Sequence, residues 1–216
     1  MLGLREVTDL RPRLWRLMPG LVLGGIGIAS MVRADLGLPP WAVLDHGISR
    51  HTGIPIGTVS ILVGAVVLAT WIALRERPGI GTLLNIIVLG VTIDLMLALV
   101  PETDNPVARA AFLLVGVFIW GPGSGLYIGA GLGPGPRDGL MTGLAARGVG
   151  SVRAVRTGLE IGALAIGWLL GGRVGIGTLA FALTIGPNVQ FFLQRLTYRA
   201  PHEARAQTPS PEPIAA

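Results

Sequence analysis

Residues 129–140 read Gly-Ala-Gly-Leu-Gly-Pro-Gly-Pro-Arg-Asp-Gly-Leu, and this stretch decides the fold. Its glycines and prolines stand too close together for an ordinary helix, because glycine is a poor helix former and proline removes a backbone hydrogen bond. Long apolar runs precede and follow it, so we predict a break in the backbone at or near a membrane surface. A weaker copy lies 96 positions earlier, in residues 34–41.

The composition is that of a multi-spanning membrane protein. The chain has 216 residues, of which 51% are hydrophobic and 13% charged, and its mean hydropathy is +0.66. A soluble domain carries about 25% charged residues. Cysteine and lysine are both absent. Disulfides, thiolate metal sites, Walker A lysines and Schiff-base lysines are therefore excluded.

Six mainly apolar runs are predicted to be membrane spans, since roughly 20 helical residues cross a 30 Å hydrocarbon core. The first run is short for a span, but the arginines that flank it can reach to the interface. We therefore predict an all-α fold, a polytopic helical bundle of six spans with segments broken by glycine and proline. It forms a single membrane domain over residues 1–196, and the proline-rich residues 197–216 are predicted to be a disordered cytoplasmic tail. The six runs cover residues 17–32, 52–74, 78–100, 110–136, 157–172 and 174–194.

The arginines predict the orientation of these spans. All 17 basic residues are arginine, and the net charge is +5. With the N-terminus in the cytoplasm, 13 arginines fall on the cytoplasmic side and four outside, namely Arg33, Arg50, Arg109 and Arg173. Because cytoplasmic loops are enriched in arginine, both termini are expected inside. The role of arginine in membrane orientation also explains the positive net charge, so nucleic-acid binding is not needed to account for it.

The chain contains an internal repeat at an offset of 96 residues. Residues 79–83, Gly-Ile-Gly-Thr-Leu, recur as residues 175–179, and no gap is needed elsewhere. The repeats cover about 16–100 and about 106–196, with three spans each. Because three is odd, the second repeat is expected to enter the membrane from the opposite side. Inverted repeats of this kind are common in membrane transporters.

A short segment with helical spacing follows each break, at residues 40–50 and 136–147. Proline at the entry suits the first turn of a helix. Two interpretations remain open for these segments. They are either amphipathic helices lying on the membrane interface or re-entrant segments that dip between the spans.

Several of these motifs resemble a known group. Residues 127–141, 55–60 and 75–85, together with Arg153, Arg156 and Glu160, resemble the bacterial YczE-like integral membrane proteins of the YczE/YyaS/YitT group. The resemblance covers roughly residues 15–195. Ala42 stands where the group usually has an aspartate, and Asp45, one turn later, is its expected substitute. The resemblance implies a bacterial inner-membrane protein and names no substrate.

Polar residues at the ends of the spans are candidates for a substrate site. Arg137 and Asp138 end the most broken stretch, where they form either a local ion pair with a helix N-cap or an anion-binding pocket. Arg156 and Glu160 are four residues apart on one helix face. They are either an ion pair that fixes helix depth or part of a substrate or proton site.

A second candidate pair comes from the repeat. Asp94 in the third span is equivalent to Gln190 in the sixth. Matched polar residues at these depths indicate a shared polar cavity or mutual hydrogen bonds between helices. The candidate substrate-binding set is therefore Arg137, Asp138, Glu160, Arg156, Asp94 and Gln190. Of these, we expect Arg137, Asp138 and Glu160 to form one polar site at the inner mouth of the bundle.

Glycine rows at a spacing of four predict close helix packing. There are four such rows: Gly121, Gly125 and Gly129; Gly158 and Gly162; Gly167 and Gly171; and Gly20 and Gly24. The glycine-rich break itself is no dinucleotide fingerprint, because it follows an apolar span and its spacing differs. The three histidines lack metal-ligand spacing, so no metal site and no cofactor is predicted.

The sequence favours a small secondary transporter or permease for an unknown solute. The alternative is a regulatory or assembly factor of the membrane that acts through a partner protein. No catalytic set is visible, so the chain is not expected to be an enzyme. The expected partners are the lipid bilayer and a small polar or anionic solute, with no nucleic acid. An oligomer is left open.

Overall fold

The computed structural model describes residues 9–198, and these form eight α-helices without a strand. The all-α prediction is thereby confirmed. The predicted tail falls, from residue 199 onward, outside the described residues. The helices are α1 (Leu10–Ala34), α2 (Pro40–Thr52), α3 (Ile56–Leu74), α4 (Ile80–Leu99), α5 (Pro106–Gly129), α6 (Pro136–Ala146), α7 (Val152–Leu169) and α8 (Ile176–Leu196).

The predicted break separates α5 from α6. Helix α5 ends at Gly129, and α6 begins at Pro136 as its first residue. Between them Gly131 and Gly133 have φ angles of 65° and 119°, a conformation that side chains disfavour. The first half repeats this geometry between α1 and α2, where Gly37 has a φ of 117°. The backbone is broken at both copies of the motif.

The two halves have the same helix order in register with the sequence repeat. Helices α1 to α4 begin at residues 10, 40, 56 and 80, and α5 to α8 begin at residues 106, 136, 152 and 176, an offset of 96 each time. Helices α1 and α5 cross at the centre in opposite directions. A Cβ on Gly20 would stand 2.6 Å from the Tyr127 nitrogen, and one on Gly116 would stand 2.8 Å from the Gly27 oxygen.

The five-residue repeat joins the two halves reciprocally. In the first half the Gly81 nitrogen donates to the Leu132 oxygen at 2.8 Å, and in the second the Gly177 nitrogen donates to the Leu36 oxygen at 2.7 Å. The Thr82 hydroxyl also donates to the Pro134 oxygen at 2.8 Å. Each copy of Gly-Ile-Gly-Thr-Leu therefore begins a helix by docking on the break of the other half.

The helices form two groups with the core between them. Helices α1, α4, α5 and α8 pack around the central α1–α5 crossing, whereas α2, α3, α6 and α7 pack on one another beside it. The short helices α2 and α6 each contact both α3 and α7. Helix α2 buries Ala42, Val43 and Asp45 in these contacts.

Five helices are long and apolar enough to cross a membrane: α1, α3, α4, α5 and α8. Their outward faces carry large exposed apolar side chains such as Ile72, Leu114 and Leu183. Such a surface is typical of a protein whose solvent is lipid. Helix α7, the predicted fifth span, is 18 residues long but holds Arg153, Arg156 and Glu160. Its passage through the membrane stays a prediction.

Charged residues gather at the two ends of the bundle. Asp35 accepts from Arg109 at 3.0 Å and from Arg173 at 2.7 Å, and Arg33 pairs with Glu102. At the opposite end Arg13 donates to the Ala130 oxygen and Arg16 to the Leu196 oxygen. These last two cations lie at the carboxyl ends of α5 and α8, where the helix dipole is negative.

The glycine rows have different outcomes. Gly121, Gly125 and Gly129 pack against α8 and the residues that follow it, as predicted. The predicted close contacts are also made by Gly20 with α5 and by Gly167 with α2. The prediction for Gly158 and Gly162 is wrong, because a Cβ on either would meet nothing within 4 Å in the described part of the chain.

Candidate functional site

A cavity of about 410 Å³ lies between the two groups of helices. All eight helices contribute to its wall, and its size is that of a small-molecule site. Five of the six predicted site residues line it, namely Arg137, Asp138, Arg156, Glu160 and Gln190. Residues separated in the sequence by more than 50 positions are thus brought to one space.

Arg137 joins the two halves across this cavity. It is the second residue of α6, and its Nη2 donates to Asp45 Oδ2 on α2 at 3.2 Å. Its guanidinium also lies over the Trp41 ring, 4.7 Å from the centroid, in a cation–π contact. The local ion-pair interpretation would require Arg137 to pair with the neighbouring Asp138, but Arg137 pairs with Asp45 instead.

Asp45 lies behind Arg137, and its side chain is only 3% exposed. Its Oδ1 has no hydrogen-bond partner among residues 9–198. Burial raises the pKa of Asp45, and the Arg137 guanidinium opposes part of that change. The resemblance led us to expect that Asp45 replaces the aspartate missing at position 42. In the structure, Asp45 brings its carboxylate to Arg137.

Asp138 is the third residue of α6 and faces the phenol of Tyr127. The Tyr127 hydroxyl donates to Asp138 Oδ2 at 3.4 Å. A Cβ on Gly135 would stand 2.8 Å from that hydroxyl and 3.1 Å from the carboxylate, so the glycine allows this approach. Burial raises the pKa of Asp138, and the positive charge of Arg156 opposes this most.

Arg156 and Glu160 form the predicted ion pair on one face of α7. The Arg156 Nε donates to Glu160 Oε1 at 2.9 Å. Both residues line the cavity wall, although the glutamate side chain is still 34% exposed. The pair therefore lies at the margin of the cavity and near Asp138.

Asp94 lies outside the cavity wall. Its carboxylate accepts from the nitrogens of Gly57 and Thr58 at 2.6 and 2.8 Å and from the Thr58 hydroxyl at 2.8 Å. It therefore satisfies the free N–H groups at the start of α3 and ties that helix to α4. Gln190, its equivalent, lines the cavity. The repeat pairs these two positions, but the structure places them in different surroundings.

The cavity wall is closed on one side and open on the other. Helix α3 packs along α4, and a Cβ on Gly64 would stand 3.2 Å from the Ile86 side chain. Helices α7 and α8 are their equivalents, yet they barely contact each other. Glu160 takes the place of Gly64, and a Cβ on Gly186 in α8 would meet nothing within 4 Å in the described residues. The opening lies between α7 and α8.

Aromatic residues of the wall were missed by sequence reasoning. Trp41, Trp120, Tyr127 and Phe181 all line the cavity, and the rings of Trp120 and Phe181 meet edge to face at 5.8 Å. In sequence these residues look like ordinary apolar positions of a span. The only available signal was the repeat, which makes Trp41 the equivalent of Arg137.

Comparisons with known proteins agree with this architecture. A family of unknown function, DUF6198, matches residues 12–194. The chain is 42% identical to an uncharacterized protein of Haemophilus influenzae, over 86% of this chain and 85% of that one. It is 33% identical to the uncharacterized membrane protein YczE of Bacillus subtilis, over 89% and 92% of the two chains.

A more distant relative is the uncharacterized protein YyaS of Bacillus subtilis, which is 24% identical over 81% of this chain and 89% of its own. No solved structure matches the chain significantly. The family match covers most of the sequence and includes both breaks and all eight helices except their outermost residues. The chain therefore belongs to the YczE-like membrane proteins of the family DUF6198.

Proposed function

We propose that this membrane protein is a small secondary transporter or permease and that the cavity is its solute site. The observation that carries the proposal is the asymmetry of the cavity wall, which is closed between α3 and α4 and open between α7 and α8. A sealed bundle with an exposed groove would favour the alternative, a regulatory or assembly factor. An open cavity with charged residues in its wall favours a solute site.

An inverted repeat of two three-span halves accounts for this asymmetry. The antiparallel crossing of α1 and α5 and the constant offset of the helix starts support the inversion. In transporters with such repeats, the two halves exchange conformations, and this alternates access to the site. In the second state α7 and α8 would pack together, while α3 and α4 would separate.

The proposal needs α7 as a membrane span in addition to the five helices that are long and apolar enough to cross. Its charged residues Arg156 and Glu160 line the cavity, whereas Ile161, Ile166 and Leu169 on other faces are exposed and apolar. A charged residue within a span is tolerated when it faces protein or a water-filled cavity. Helix α7 therefore suits a span at the margin of a solute site.

Cysteine cross-linking tests this exchange, and the chain has no native cysteine to interfere. A Cβ on Gly64 would stand 3.7 Å from the Ile86 Cβ, within the range of about 3.5–4.5 Å found in disulfides. We expect Gly64→Cys with Ile86→Cys to cross-link α3 to α4 readily. The pair Thr157→Cys with Gly186→Cys should cross-link α7 to α8 only when the protein visits the second state, in which these two helices pack together.

Each cross-link should stop solute uptake into proteoliposomes, and reduction should restore it. The four single-cysteine variants are the controls, since they cannot form an intramolecular bond. A screen of labelled solutes against wild-type proteoliposomes supplies the uptake assay. If the α7–α8 pair never cross-links, or if cross-linked protein transports as well as reduced protein, the proposal fails.

We also propose that the protein lies in the bacterial inner membrane with both termini in the cytoplasm. Reporter fusions at Arg75 and after Arg195 should then read cytoplasmic, and one at Thr103 should read external. The reason is the excess of arginine on the proposed inner side. A cytoplasmic signal at Thr103 would contradict both the six-span layout and the inversion.

A further inference from the structure

The two arginines of the cavity wall have unused hydrogen-bond donors. Arg137 uses Nη2 for one bond and Arg156 uses Nε for one, although a guanidinium offers five N–H donors. The Trp41 Nε1 is buried without a partner among residues 9–198. The carboxylates of Asp138 and Glu160 lie in the same wall and accept from Tyr127 and Arg156, not from Arg137. A group rich in acceptors would satisfy the unused donors around Arg137.

The backbone adds to this preference. Helices α2 and α6 both begin at the cavity wall with a proline and without a side-chain cap. The first turn of α6 holds Asp138, whereas the first turn of α2 has no acidic residue. Helix N-termini favour negative charge. Other parts of the wall are covered by the aromatic side chains of Trp41, Trp120 and Phe181. These rings suit the apolar part of a ligand. Together these groups match an anion attached to an apolar or aromatic group.

Asp45 is paired with Arg137, the cation that such an anion would bind. It sits behind Arg137 rather than in the wall, and only one of its two oxygens has a partner in the described part of the chain. A buried carboxylate with an unsatisfied oxygen is a costly arrangement. Protonation of Asp45 would remove its charge and leave the Arg137 guanidinium available to a ligand.

We propose that the cavity binds an organic anion with an apolar body through Arg137, and that Asp45 competes with this anion until it takes up a proton. The inference rests on the proposed solute cavity and names the class of its ligand. Binding is then coupled to a proton, because each bound anion displaces Asp45 from Arg137. No covalent step is involved.

The surroundings of Asp45 leave Arg137 as its controlling charge. Helix α6 brings Arg137 to it, and α3 brings the hydroxyl of Ser60, which is uncharged and opposes the rise in the pKa of Asp45 less than Arg137 does. Helix α7 meets α2 through Gly167, which packs against Leu44. Because burial raises the pKa of Asp45, its protonation begins at milder acidity than for an exposed aspartate. Affinity for the anion should accordingly rise as the pH falls.

The test is isothermal titration calorimetry of the purified full chain in detergent, from neutral to mildly acidic pH. The probes are 1-naphthoate, its neutral amide 1-naphthamide and the cation 1-naphthylmethylammonium. We expect naphthoate to bind more tightly than the other two, and increasingly so at lower pH. Arg137→Gln should weaken naphthoate binding by about 10- to 100-fold, the usual value of a hydrogen bond to a charged group.

Asp45→Asn should bind naphthoate more tightly than wild type at neutral pH and should show a smaller pH dependence, to which Asp138 in the wall still contributes because burial raises its pKa as well. Arg147→Gln is the matched control, because Arg147 lies at the other end of α6 and bonds to the Gly143 and Ala73 oxygens. It should bind like wild type. The pH dependence of naphthoate binding is measured on the wild-type protein, so it can be determined even if a variant does not fold.

Two results would overturn the inference. One is wild-type affinity for naphthoate no higher than for the neutral amide, and the other is naphthoate affinity that does not change with pH. Failure of the transport proposal looks different. In that case naphthoate would bind as expected through Arg137, whereas the α7–α8 cysteine pair would never cross-link.

Discussion

Gly125→Leu should strongly destabilise the bundle, and Gly162→Leu should not. A Cβ on Gly125 would stand 2.9 to 3.1 Å from the backbone and Cβ of Phe192, at the packed crossing of α5 and α8. A leucine there must push two helices apart, and overpacking a core costs about 1–3 kcal/mol or more. Thermal unfolding in detergent measures the difference.

Gly162 is the matched control on α7. It lies in one of the four predicted packing rows, yet a Cβ there meets no described atom within 4 Å. Its first-half equivalent, Val66, is 68% exposed, so a large apolar side chain is already accepted at that position of the repeat. Equal midpoints for the two variants would show that the α5–α8 crossing is not a close interface.

Glu160→Gln should reduce solute uptake to background while leaving the protein folded. The amide keeps the size of the side chain but loses the charge that holds Arg156 at 2.9 Å beside the cavity. Arg137→Lys should also impair uptake, because lysine lacks the planar fork of arginine and its contact over Trp41. Uptake by proteoliposomes, normalised to the amount of folded protein, is the measurement.

The alternative for α7 has a different signature. If the Arg156–Glu160 pair only fixes helix depth, Glu160→Gln should retain full uptake and Arg156→Ala should lower the amount of protein in the membrane. Arg147→Lys serves as a control, since Arg147 bonds outside the cavity. Full uptake in both Glu160→Gln and Arg137→Lys would end the role of these residues in a solute site.

Local features of the chain were readable from the sequence because they depend on neighbouring residues. The density of glycine and proline in residues 129–136 predicts the break before α6, since these residues disfavour helix wherever they occur. The repeat of residues 79–83 predicts equivalent helix starts, and the structure has them at residues 80 and 176. The clustering of Arg137, Asp138, Arg156 and Glu160 also followed from their places at the ends of predicted spans.

The exact partners of these residues were decided by the tertiary structure. Arg137 pairs with Asp45, 92 positions away, rather than with its neighbour Asp138, because α2 and α6 both begin at the cavity wall and the long arginine side chain reaches the second turn of α2. Asp94 looks like a polar residue of a span, yet it satisfies the first N–H groups of α3.

The apolar composition of the spans determined by itself that this protein belongs in a membrane, and the backbone breaks followed from local chain geometry. Only the packing of the helices decided that α3 and α4 close against each other while α7 and α8 stand apart. The two pairs occupy equivalent positions of the repeat, although α7 carries Arg156 and Glu160 where α3 has Ser60 and Gly64. The physical reason is that a gap between helices depends on the position of both at once, and no stretch of one helix encodes it.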